Sequence, residues 1–97
     1  MITLVWVGPN EVNTTRISVK AYTIRRSGRT VMTESGHIDV VSRKYFWRYG
    51  SHPRVRRFRS TEAARQCVTT LMSEKLSKSK GYRRLPPGVT IRRPTNN

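Results

Sequence analysis

Cysteine is nearly absent from this chain. Cys67 stands alone, which excludes an internal disulfide framework and any zinc site built from several cysteines. Carboxylates are almost as scarce: Glu11, Glu34, Asp39, Glu62 and Glu74 are the five acids among 97 residues. A catalytic carboxylate pair is not expected from them. Glu62 suits the first turn of a helix, and Glu74 stands four residues before Lys78, where it supports a helix by i,i+4 pairing. The two histidines, His37 and His52, lie in or beside turn-forming residues, with no ligand-like spacing to Cys67 and no His-x-Glu element. Glycines 28, 36, 50 and 81 are isolated, so no phosphate-cradling loop is formed. Long apolar runs are missing as well. The opening segment Met1 to Val7 lacks a positive leading region and soon meets Gly8-Pro9, which makes it too short for a signal peptide or a membrane span. No catalytic residue, cofactor, metal or membrane is therefore expected. The expected location is intracellular: cytoplasmic or nucleoid-associated in a bacterium, nuclear in a eukaryote.

Positive charge is what remains. Twenty basic residues against five acids give a formal net charge of +15. Folding such a chain crowds like charges together, which costs stability unless a polyanionic partner offsets it. Arginine also far outnumbers lysine. Its planar fork grips phosphate in a bidentate way and stacks on rings, whereas lysine acts as a hydrated point charge. Nucleic acid is the expected partner.

The apolar fraction of 35% is low beside a globular average of about 45–50%, yet the apolar residues fall in periodic runs, so a folded domain is expected. Residues 2–7, 15–26, 29–34, 37–41, 44–49 and 54–59 alternate with period two or are rich in β-branched and aromatic residues, the pattern of short strands. Ser27-Gly28 and Ser35-Gly36 read as turns between them, and such short connections make the strands antiparallel. The texture then changes. Ser60-Thr61-Glu62 offers a capping hydroxyl and an early acid. Ala64, Cys67, Val68, Leu71, Met72 and Leu76 recur at helical spacing, and Gly81 is a natural stop. A helix is expected over roughly 61–78, with its apolar stripe on the sheet. Beyond Tyr82, prolines and arginines read as an extended, loosely ordered basic tail. The expected fold is α+β: a small twisted antiparallel sheet of five or six strands with one helix packed across it. Residues 1–84 form the domain and 85–97 the tail.

Between residues 43 and 59 the chain carries Arg43, Lys44, Arg48, Arg54, Arg56, Arg57 and Arg59 with no acid, interleaved with Tyr45, Phe46, Trp47, Tyr49 and Phe58. Arginines hold phosphates while rings stack on bases or sugars, so this mixture suits nucleic acid. By strand alternation Tyr45, Trp47 and Tyr49 share one face, and Phe46 and Arg48 share the other. One of these faces must lie under the helix. Lys78, Lys80, Arg83 and Arg84 extend the basic track, because helix end and tail are contiguous.

Phe46-Trp47-Arg48-Tyr49-Gly50, the basic strand ending in Phe58, Ser60-Thr61-Glu62-Ala63-Ala64, and a helix closing in Lys80-Gly81-Tyr82 together resemble the WGR domain. That family is named for Trp-Gly-Arg and occurs in poly(ADP-ribose) polymerases and in small bacterial proteins. The matching segments cover roughly residues 15–84. Arg48-Tyr49-Gly50 fits the last three motif positions, which places Trp47 at the family's glycine and Phe46 at its tryptophan. Alternatively Trp47 is that tryptophan and one residue is missing. The resemblance implies a twisted sheet with one helix, and DNA contact near a strand end by Arg48 together with Trp47 or Phe46, largely through sugar and phosphate. The polymerase activity of the eukaryotic relatives belongs to a separate domain, for which this chain has no room. The expected function is binding of double-stranded DNA, at ends, nicks or junctions, through phosphate contacts with little base specificity. RNA or single strands, and an acidic protein partner or larger assembly, are the alternatives.

Overall fold

Alternating β-branched and aromatic residues set the architecture. In a computed structural model, which describes residues 2–9, 17–42, 44–50, 52–77, 80–86 and 88–93, they form β1 (Ile2–Pro9), β2 (Ile17–Ser27), β3 (Thr30–Val41), β4 (Lys44–Gly50) and β5 (Arg54–Arg57). The helix α1 (Thr61–Leu76) follows, and two short strands, β6 (Arg83–Arg84) and β7 (Ile91–Arg92), close the chain. The sheet order is β6-β1-β2-β3-β4-β7, with β5 paired to β3. The chain is thus α+β, with a single helix over one small curled sheet. Four of the strands (β1 to β4) make a meander, and β5 continues the line of β4 along the same edge of β3: Gly50 lies opposite Gly36 and Arg54 opposite Thr33.

Alternation gives the sheet two faces. Ile2, Leu4, Tyr22, Ile24 and Val31 point to the first, where α1 packs on them through Ala64, Cys67, Val68, Leu71 and Met72, joined by Phe58. Leu4, Ile24, Val31 and Ala64 have no more than 1% of their surface exposed. The helix begins at Ser60, whose extended backbone (φ −145°, ψ 161°) lets its hydroxyl accept the Ala63 N–H at 3.1 Å. It ends at Leu76, with Ser77 as cap, and Gly81 at φ 74° turns the chain so that the Tyr82 N–H donates to the Lys75 carbonyl.

The second face carries Val5, Val19, Ala21, Ile38, Tyr45 and Trp47. Its cover comes from the C-terminal segment, expected as a loose tail. Residues 83–86 instead begin at one sheet edge, where β6 pairs β1, and residues 88–93 end at the other, where β7 pairs β4. Ile91 packs on the Val19–Ala21–Ile38 cluster, and Leu85 and Val89 line the same face beside Trp47. The Pro- and Arg-rich composition concealed three apolar residues spaced to cover a sheet. This crossing also makes β4 and β7 parallel, so the sheet is mixed where an antiparallel one was expected.

Two further expectations fail for local reasons. Ser35-Gly36 is no turn: β3 runs unbroken from Thr30 to Val41. Gly36 is glycine because the Trp47 ring lies on it. A Cβ there would come within 2.3 Å of Trp47 Cζ2, closer than any packed carbon contact. Nor do Tyr45, Trp47 and Tyr49 share a face. The register shifts between His37, opposite Tyr49, and Ile38, opposite Trp47. Arg48 is the extra residue of this β-bulge, which moves Tyr49 to the helix side.

Candidate nucleic-acid interface

The basic run of β4 and β5 is one line in sequence, but it is long in space. Lys44 lies opposite Val41 and Arg57 opposite Thr30. At about 3.3 Å per residue, the two ends of that line are roughly 36 Å apart. The run therefore supplies two separate basic groups, one at each end of β3.

At the β4 end, Lys44 and Arg48 are exposed. Arg48 stands out on its bulge, 3.7 Å from the Asp39 carboxylate, with the two side chains 65% and 50% exposed. So open a pair contributes little to stability and leaves the guanidinium within reach of a phosphate. Trp47, expected to stack on a ligand, is a structural residue. Its ring sits on Gly36 and Gly50, and the Arg93 guanidinium lies 4.2 Å above its centroid while bridging to Glu34. Phe46 is on the helix side, half-buried, with Arg92 5.9 Å from its ring. The most open ring of β4 is Tyr49, 56% exposed, stacked on His37 at 4.7 Å between centroids and with the Arg48 guanidinium 5.8 Å from its centroid. Sequence reasoning passed over it because the bulge that turns it outward has no signature in the residues.

The other end is richer. Arg54 and Arg56 point to the helix side, and Arg57 to the opposite side. Arg59 follows Phe58 just before the helix. The β2–β3 hairpin ends at the same place: the Phe58 N–H donates to the Arg29 carbonyl at 2.9 Å. Arg25 and Arg26 lie opposite Met32 and Val31, whose other neighbours are Val55 and Arg56. Arg65 reaches in from the first turns of α1 to line a hollow with Arg26. Arg25, Arg26, Arg29 and Arg65 were not anticipated. The cluster Arg25-Arg26-Ser27-Gly28-Arg29 was a readable signal, since it gathers three arginines around one hairpin turn.

Charge balance at this end is one-sided. Among the described residues Asp39 pairs with Arg48 on the far half of β3, while Glu34, next to Thr33 on the near half, is engaged by Arg93. Arg26 donates to the Gly28 carbonyl at 3.0 Å, and Arg56 lies 5.2 Å from the Phe58 ring. Arg25, Arg29, Arg54, Arg57, Arg59 and Arg65 form no ion pair with a described residue. Glu62, at the helix start, is the one acid within these segments.

The remaining expected contacts form a third group. Lys80, Arg83 and Arg84 are exposed along the β6 edge, with β1, β2 and β3 between them and β5. They do not extend the β5 track. Arg43 and Lys78 lie outside the described residues. Among those described, no cluster of three or more His, Cys, Asp or Glu is placed to hold a metal, and no helix is long and apolar enough to cross a membrane.

Under the helix end, Lys75 is held between two rings, its Nζ 4.5 Å from Tyr22 and 5.3 Å from Tyr82. The Tyr82 phenol is pushed above its ordinary value, chiefly by burial and secondarily by neighbouring Tyr22. Comparison with protein-family models, with curated proteins and with solved structures found no match.

Proposed function

We propose that this chain binds double-stranded DNA through its phosphate backbone, using the arginine cluster at the β2–β3 hairpin tip, β5 and the start of α1. The observation that carries the reading is convergence. Two stretches far apart in sequence, the hairpin residues 25–29 and the run from β5 into α1 at 54–65, bring arginines to one end of the molecule, where the carboxylates among the described residues are Glu62 and Glu34, the latter engaged by Arg93. Clustering of this kind raises the folding cost through self-repulsion, and a polyanion removes that cost. Guanidinium groups on strands and at a hairpin tip meet phosphates, which fix position without reading sequence, so base specificity is low.

A second placement has its own support. Arg48, exposed on its bulge, is the arginine that the WGR-like reading implies for DNA contact near a strand end, with Tyr49 beside it in place of the Trp47 or Phe46 which that reading names. The two placements lie at opposite ends of β3 and are separable by mutation.

The test is a fluorescence-anisotropy titration of blunt duplex, nicked duplex, single-stranded DNA and matched RNA across a salt series. If Arg25, Arg29, Arg54, Arg57, Arg59 and Arg65 each meet one phosphate, log K against log salt falls with a slope of roughly −5 on duplex DNA. Affinity is expected to be independent of base sequence and to favour duplex DNA. A clear preference for RNA would overturn the DNA reading. A slope near zero, with binding to an acidic protein instead, would overturn nucleic-acid binding altogether.

A further inference from the structure

The helix does not close on β5 along its whole length. Between α1 and the β3–β5 pair lies a hollow of about 380 Å³, within the size range of small-molecule pockets. Val31, Cys67 and Leu71 form an apolar floor, with the Thr33 hydroxyl beside it. Arg54 and Arg56 stand two residues apart on β5, opposite Thr33 and Val31, and so both project onto the same rim. Lys75 closes the other side, fixed between Tyr22 and Tyr82, and the Arg56 guanidinium lies 5.2 Å from the Phe58 ring. Glu34 also borders the hollow, but its carboxylate is engaged by Arg93.

An apolar floor under a cationic rim suits a flat ring carrying a negatively charged group. We propose that this hollow binds a mononucleotide, with the ring over Val31 and Leu71 and the phosphate on Arg54 and Arg56. The fork of each guanidinium suits a phosphate monoester, which offers several acceptor oxygens in one plane of approach. This inference does not depend on duplex binding. It uses the helix-side rim, whereas Arg25 and Arg57 on the opposite face belong to the duplex surface alone.

The experiment is a titration of the full chain with AMP, GMP, CMP and UMP, and with adenosine and inorganic phosphate, followed by calorimetry and by backbone amide NMR. At least one nucleotide is expected to bind saturably and about tenfold or more tighter than either adenosine or phosphate, because each of those forfeits one of the two contacts. Shifts are expected to concentrate at Tyr22, Thr33, Cys67 and Leu71. Arg54→Ala is expected to weaken nucleotide binding about tenfold or more, with Arg25→Ala without effect on it. The proposal fails if no nucleotide exceeds phosphate, if the shifts spread over the basic surface, or if Arg25→Ala and Arg54→Ala weaken binding alike. Because the NMR map is read on the unmodified chain, the outcome does not depend on the variants folding.

Discussion

Replacing Gly36 by alanine tests the packing that organises the second face. The new Cβ would lie 2.3 Å from Trp47 Cζ2, 2.6 Å from Cη2 and 2.8 Å from Cε2. A tryptophan ring elsewhere can swing aside, but this one is boxed in. A Cβ at Gly50 would touch the same Cζ2 at 2.5 Å, Ile38 is its cross-strand neighbour, and Arg93 lies 4.2 Å above its centroid. Relief therefore requires moving the ring together with the Arg93–Glu34 bridge, or bending β3. Overpacking of this kind costs about 1–3 kcal/mol. In a domain of this size that lowers Tm by roughly 5–20 °C, read by far-UV circular dichroism. The control is Gly28→Ala at the hairpin tip, where no atom lies within 4 Å and the cost is the positive φ of 59° alone. The decisive arm is a double-mutant cycle. With Trp47→Leu the ring is gone, and alanine at position 36 should become nearly neutral. An equal cost in both backgrounds would show that the ring contact is not the cause.

Two other consequences are equally direct. Ser60→Ala removes the hydroxyl that accepts the Ala63 N–H; it should cost about 1 kcal/mol, seen as a lower urea midpoint with an unchanged m-value, and rescued by Ser60→Asp. Tyr82 gives an alkaline signature. Its folded-state pKa is raised, so the folded chain holds the phenol proton more tightly than the unfolded one. The resulting stability is present below the ordinary phenol value of about 10 and is lost as pH rises through and above it. Urea midpoints measured between about pH 8 and 11 should therefore fall more steeply for the wild type than for Tyr82→Phe; parallel curves would contradict this assignment.

The strands and the helix were legible because each announces itself through local periodicity. The run Ile17, Val19, Ala21 alternates, and Ala64, Val68, Leu71 and Met72 recur on one helical face. What was illegible depended on partners distant in sequence. Gly36 reads as punctuation until Trp47 is laid upon it. The bulge at Arg48 comes from a register shift between two strands and turns Tyr49 and Trp47 to opposite faces, so alternation alone misplaced the rings. Leu85, Val89 and Ile91 look like stray apolar residues in a basic tail until the uncovered sheet face supplies their purpose. The basic run at 43–59 was visible, but its division into two groups follows from β4 and β5 lying end to end along β3. Half of the richer group, from Arg25 to Arg29 together with Arg65, joins it only through the hairpin and the helix.

The most direct test of the account compares the two ends of β3 in one assay. Duplex affinity across a salt series would be measured for the wild type, for Arg25→Ala/Arg57→Ala, and for Lys44→Ala/Arg48→Ala, with melting curves confirming that each is folded. The account predicts that the first pair shallows the salt slope by roughly two units, about 0.9 for each lost phosphate contact, while the second leaves it unchanged. A slope that shallows with Lys44→Ala/Arg48→Ala and stays fixed with Arg25→Ala/Arg57→Ala would contradict it, and would move the DNA contact to the bulge beside Tyr49.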